Sequence, residues 1–214
     1  SLKNTISLLA LATVIALAAL KSHAQDAPPF ARISNVSLSG RGCSSATAAV
    51  TLSPDEKDLS ILFDNFILDA KASNVNSSTL RSETACNVNI DLQIPSGWQM
   101  AFVSVDYRGF AALPAGTMGY QRFLYQAPGM QVVSMREANF NGPFNNNYTF
   151  SAPQKPARYA WTPCGLSSFR MSLTAILGVY YLKRGVYPDA MMGLDSQDWS
   201  MKQNFHVAWA RCSR

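Results

Sequence analysis

Between Cys86 and Ile94 the chain alternates without a fault. Cys86, Val88, Ile90, Leu92 and Ile94 take one phase; Asn87, Asn89, Asp91 and Gln93 take the other. Successive strand side chains point to opposite faces, so the stretch predicts a half-buried β-strand with Cys86 turned inward. Pro95, Ser96 and Gly97 break it, and Gln99 to Ala112 predicts a second strand.

The N-terminus carries a different signal. Lys3 precedes an apolar run from Ile6 to Leu20, and Ser22-His23-Ala24 places small residues where a signal peptidase cuts. Residues 1–24 therefore read as a signal peptide, cleaved between Ala24 and Gln25. About 15 apolar residues fall short of the ~20 that span a bilayer, and no later run is longer. The expectation is an exported chain, extracellular or, in a bacterium, periplasmic or cell-surface, with no membrane span after cleavage.

Cleavage leaves about 190 residues: a lead-in over 25–32 with two prolines, then a single β domain over 33–214. Net charge falls from +5 to about +3, a balance that concerns solubility. The longest basic run is Lys183-Arg184, so no nucleic-acid partner is expected. Nothing in the sequence sets the oligomeric state.

All four cysteines, at 43, 86, 164 and 212, lie in the exported part, and an even count there reads as two disulfides. Chain entropy barely separates the three connectivities, since loops of these lengths differ by only ~0.5 kcal/mol. Cys43 and Cys86 flank the first strands and Cys164 and Cys212 the last, which favours 43–86 and 164–212. Lone cysteines more than 40 residues apart, without a Cys-x-x-Cys pair, argue against zinc.

Strand patterns recur along the chain. Ile33–Ser39, Ala46–Leu52, Leu59–Leu68 (either covered on both faces or bulged at Asp64-Asn65), Thr117–Gln126 and Gln131–Arg136 read as strands. Lys71–Glu83 reads as a flexible loop, Asn139–Asn147 as a long turn and Tyr148–Ala152 as a short strand. Phe169–Leu182 is assigned to strand on Val179-Tyr180-Tyr181. Around Phe205, Val207 and Trp209 both faces look coverable, which predicts an interior strand. Together these give an all-β fold, an antiparallel β-sandwich or jelly roll stapled by two disulfides.

Gly42-Cys43, Phe63-Asp64-Asn65-Phe66, Cys86 through Pro95-x-Gly97-Trp98, Val105-Asp106-Tyr107-Arg108-Gly109-Phe110 and Trp161-Thr162-Pro163-Cys164-Gly165 follow one another in an order that resembles the small secreted proteins grouped as domain of unknown function 4360. The resemblance covers nearly all of the exported chain. It implies export and a mostly β domain, and brings no activity, cofactor or catalytic residue with it.

Chemistry-bearing residues are sparse. His206 is the only histidine left after cleavage, no Gly-x-Ser-x-Gly elbow is present, and the cysteines are assigned to disulfides, so no catalytic residue, metal or cofactor is assigned. Asp64, Asp91, Asp106, Asp189, Asp195 and Asp198 are the carboxylates from which a glycosidase-like pair would be drawn. Asp195-Ser196-Gln197-Asp198 supplies too few oxygens for calcium and reads as a polar turn. Trp98, Phe144 and Tyr148 lie in or beside turns and are the candidate binding aromatics for a glycan or protein surface. Asn35, Asn76 and Asn147 begin Asn-x-Ser/Thr sequons. The first reading is a non-catalytic secreted or envelope-associated binding module; the alternatives are a carboxylate-dependent hydrolase and a structural envelope component.

Overall fold

The computed structural model describes residues 30–43, 48–155, 159–193 and 201–212. The signal segment and Asp195, Asp198 and Trp199 therefore lie outside the described residues, as does most of the lead-in. Two antiparallel sheets pack face to face. The six-stranded sheet runs β1 (Arg32–Ser39), β5 (Arg81–Gln93), β11 (Ser168–Tyr181), β7 (Thr117–Gln126), with β8 (Val133–Ser134) and β9 (Ala138–Asn141) both against β7. The seven-stranded sheet runs β2 (Ala48–Leu52), β3 (Asp58–Phe63), β13 (Met201–Arg211), β6 (Trp98–Leu113), with β10 (Phe144–Pro153) along the far edge of β6. Strands β12 (Ala190–Gly193) and β13 lie end to end along the other edge of β6, and β4 (Leu68–Ala70) pairs with β12. The β-sandwich expected from the sequence is the fold.

Alternation explains how the sandwich closes. Val88, Ile90 and Leu92 of β5 and Met171, Leu173, Leu177 and Val179 of β11 point inward and are buried. They meet Leu59, Ile61, Phe63, Val105 and Phe205 of the other sheet in one core. At its centre Phe102 and Phe205 meet Tyr125 and Phe123 across the sheets, with ring centroids 4.5–4.9 Å apart. Each such ring, fully buried, contributes about 1.5–3 kcal/mol.

Both disulfides form as expected, Cys43–Cys86 and Cys164–Cys212, with Cα separations of 5.4 and 5.8 Å. The first ties the loop after β1 to the inner face of β5. The second joins the segment entering β11 to the end of β13, and so staples one sheet to the other.

Three local expectations are corrected. The Lys71–Glu83 segment is ordered: a 3₁₀ turn at Ala72–Asn74 leads into a turn closed by the Asn76–Arg81 bridge, and β5 already begins at Arg81 because β11 pairs with it as far as Tyr180. Asn139–Asn147 is the tight junction of β9 and β10, turned at a cis Gly142–Pro143 peptide, and β10 extends back to Phe144 because β6 offers it ten successive partners. Asp64-Asn65 marks a full break between β3 and β4 rather than a bulge. A bulge does occur elsewhere: the β13–β6 register shifts between His206 and Val207, and the inward phase of β6 changes from Met100 and Phe102 to Val105 and Tyr107. Bulges re-aim side chains, and this one sets Asp106 on the outer face beside His206.

Candidate functional site

The candidate binding aromatics do not form one site. Trp98 is 5% exposed, its ring covered by the Arg211 guanidinium at 4.7 Å, next to the Cys212 backbone that bonds Gly97. Tyr148 is 6% exposed and donates its hydroxyl to the buried Gln121 at 2.6 Å; burial holds that hydroxyl far above its ordinary pKa. Phe144 is half-buried against Phe140, which in turn stacks near Tyr148. Phe144 pairs opposite Leu113, at the other end of β6 from Trp98, a span of roughly 40–50 Å at the rise of a strand. Trp98 and Tyr148 are placed as packing residues, because each ring lies on an inward phase that turn-adjacency in sequence did not show.

Two polar constellations are brought together instead. The first is a clamp on the outer face of the seven-stranded sheet. His206 stands between Asp58 and Asp106: Nδ1 lies 2.6 Å from Asp58 Oδ1 and Nε2 lies 3.0 Å from Asp106 Oδ2. Partial burial favours the neutral ring, but the Asp106 hydrogen bond and the charges of both carboxylates outweigh it and raise the imidazole's pKa. For Asp106, burial pushes upward, while hydrogen bonds from Ser151 and His206 carry the net shift downward. Both ring nitrogens face carboxylates, so the imidazolium is satisfied and has no free nitrogen to act as a base. Ser60 donates to Asn204 at 2.5 Å in the neighbouring row.

The second is a cleft at the open edge of β5. Strand β1 covers β5 only from Asn87 onward; beyond it the turn residues Gly42 and Asn76 donate backbone N–H groups to Ala85 and Arg81, and the edge at Glu83 lies between them. Between this edge and β4 lies a cavity of about 350 Å³ lined by Arg41, Asp69, Asn74, Asn76, Arg81, Glu83 and Thr84, together with the apolar Ile67 and Leu68. A second depression of about 410 Å³ shares Arg41, Glu83 and Thr84 and continues toward Asn87 and Ile176. Its charges are largely balanced. Lys71 pairs with Asp69 at 2.7 Å and Arg81 with Glu83 at 2.8 Å. Tyr120 donates to Glu83 at 2.5 Å, reaching it across Gly178, where a Cβ would meet the Tyr120 ring at 2.0 Å. Arg41 makes no ion pair with a described residue. Leu80, in the turn just before β5, holds φ at 53°, an unfavourable left-handed conformation for a leucine.

The remaining carboxylates are scattered. Asp91 is held by a bidentate Arg170 (2.7 and 2.8 Å) and by Asn35, which together pull its pKa down to about 2. Beside it Ser172 donates to Asn89 and Thr174 to Asn87, so this outer face is a ladder of cross-strand polar pairs. Asp64 and Asp189 are exposed in separate loops. Among the described residues no group of three or more His, Cys, Asp or Glu is arranged to hold a metal.

Sequence reasoning missed the cleft because its walls come from four separated segments. It named Asp106 and His206 but had no means to join them to each other or to Asp58 across strands so far apart. The only local hint was Gly40-Arg41-Gly42, which presents an arginine on a turn.

Fold and site together define a disulfide-stapled β-sandwich with a polar cleft at an open strand edge. The chain belongs to the family described as Domain of unknown function (DUF4360), whose match covers residues 30–212. A protein of Arthroderma benhamiae described as an uncharacterized secreted protein is 28% identical over 186 residues, covering 87% of this chain and 74% of that one. Among solved structures, TmCBM61 in complex with β-1,4-galactotriose is similar at 10% identity and a TM-score of 0.30, covering 83% of this chain and 89% of that one. The family 11 carbohydrate-binding module from Clostridium thermocellum, in complex with a mixed-linked tetrasaccharide, is similar at 5% identity and a TM-score of 0.19, over 78% and 88% of the two chains. Likenesses this distant carry no argument about a ligand. Two disulfides fit an oxidising, extracellular setting, and no helix among the described residues is long and apolar enough to cross a membrane.

Proposed function

We propose that the protein is a secreted, non-catalytic module that binds a neutral glycan in the cleft beside β5. The observation that carries this is the cleft's lining: planar, fork-shaped polar groups from Arg41, Asp69, Asn76, Arg81 and Glu83, together with the apolar Ile67 and Leu68. Sugars present pairs of hydroxyls that such forks bind two at a time, and an apolar strip accepts the C–H face of the ring. Asp69 and Glu83 are each neutralised by a cationic neighbour, which suits an uncharged ligand better than an acidic or basic one. The hydrolase reading loses support at Asp106, whose carboxylate is engaged by His206 and Ser151.

Retention of the purified protein by a panel of insoluble and gel-embedded neutral polysaccharides tests the proposal. Arg41→Ala should weaken retention about 10-fold or more, the cost of losing a charge-assisted contact. Retention that is unchanged in this variant overturns the assignment of the cleft. Release of reducing sugar that Asp106→Asn abolishes would overturn the non-catalytic reading.

A further inference from the structure

Asn76 joins two features that have so far stood apart: it begins one of the three sequons and it lines the cleft. We infer that Asn76 is a site of N-linked glycosylation when the chain passes through a eukaryotic secretory pathway, and that the attached sugar covers the cleft mouth. The second half rests on the glycan-binding reading above; the first does not.

In the exposed turn after the 3₁₀ segment, Asn76 Oδ1 accepts the backbone N–H groups of Ser78 (3.0 Å) and Thr79 (3.3 Å). No hydrogen bond within the described residues engages Nδ2. Glycosylation substitutes Nδ2 and leaves the carbonyl oxygen as it was, so both turn-forming bonds survive the modification. The other two sequons are placed less favourably. Asn35 uses Nδ2 itself to donate to Asp91 at 3.2 Å, on a strand paired with β5. Asn147 sits half-buried in β10 between backbone pairs to β6, next to the buried Tyr148.

The transfer balances with a lipid diphosphate-linked oligosaccharide as donor. Nδ2 attacks the anomeric carbon, the N–C1 bond forms, and the C1–O bond to diphosphate breaks. The lipid diphosphate leaves with the bonding pair, and one Nδ2 proton passes to a base of the transferase. Transfer requires the Ser78 hydroxyl of the sequon, and Ser78 is exposed in the folded turn. The first sugar on Nδ2 then stands on the wall it shares with Arg41 and Glu83.

The full chain, secreted from yeast and treated with peptide-N-glycosidase in ¹⁸O water, should carry the mass label at Asn76. Ser78→Ala should abolish the label and Ser78→Thr should keep it. An unlabelled Asn76 in secreted, folded protein overturns the site. Phenylglyoxal modification of Arg41, followed by peptide mass spectrometry, reads the covering role without any ligand. It should run several-fold slower in the glycosylated protein than in Asn76→Gln, and equal rates overturn the covering role. If Ser78→Ala, which lacks the sugar and keeps Asn76, is retained by none of the polysaccharides, the glycan-binding reading fails while the modification site stands.

Discussion

The cleft beside β5 and the clamp on the outer face of the seven-stranded sheet use the same residue types and end in opposite conditions. At the clamp, Asp58, His206 and Asp106 satisfy one another; the bulge at His206–Val207 places them in register, and both imidazole nitrogens are engaged. At the cleft Asp69 and Glu83 are paired as well, but β1 stops short, of the described residues only Gly42 and Asn76 bond the β5 edge beyond it, and polar groups line a space that no described side chain fills. Clustered carboxylates and a histidine are therefore weak pointers to function when each already has its partner. A cleft left between turn, strand and sheet edge is the more informative feature, because its polar lining faces space that a ligand can enter.

The comparison can be strained first at the scaffold. Replacing both Cys43 and Cys86 by serine should cost about 4 kcal/mol, the chain-entropy value for loops of this length. The effect should be lopsided: the loop carrying Arg41 is freed, so retention on polysaccharide falls even where the protein is folded, while the pH dependence of the clamp persists. Denaturant titration with the retention assay measures both. Trp98→Ala should come next, at about 3 kcal/mol or more, as a large buried ring is removed. A variant that keeps full stability and loses only binding would restore Trp98 as a contact residue.

The clamp predicts a smaller, pH-bound effect. His206 has its folded pKa raised, so its contribution is fully present below the unfolded value near 6.5 and is lost as pH rises through the folded value. Asp106 is shifted down, so its contribution is present above about 3.8 and is lost as pH falls through its folded value. The clamp is thus strongest between roughly pH 4 and 6.5. With His206 partly exposed, His206→Gln should cost only about 0.5–1 kcal/mol at pH 5.5 and less at pH 8.5. Thermal melts of both proteins at the two pH values check the sign; a larger cost at pH 8.5 would contradict it. Asp91→Asn should have the least effect, since Arg170 and Asn35 meet it at the solvent surface. Its melting temperature should match the parent's at neutral pH.

Much of the fold was legible because strand alternation and cysteine placement are local signals with few alternative meanings. The inward phase of β5, the two disulfides and the interior position of β13 follow from residues such as Val88, Cys86 and Phe205. What escaped was set by pairing between distant segments. Arg81–Ala85 is strand because β11 reaches it, and β10 runs its full length because β6 does. The bulge that reverses the phase of β6 after Phe102 leaves no mark in composition. The candidate site was least legible of all: Arg41, Asp69, Asn76 and Glu83 belong to a turn, a three-residue strand, a supposed loop and a strand edge, which only the topology assembles.

The central claim is that the open cleft, and not the satisfied clamp, meets a ligand. Backbone amide shift mapping during titration with an oligosaccharide from the retaining polysaccharide tests it most directly. The account predicts perturbations concentrated at Arg41, Ile67–Asp69, Asn74–Asn76 and Arg81–Thr84, with Asp58, Asp106 and His206 silent. Perturbations centred on Asp58, Asp106 and His206, with the β5 edge unmoved, would contradict it.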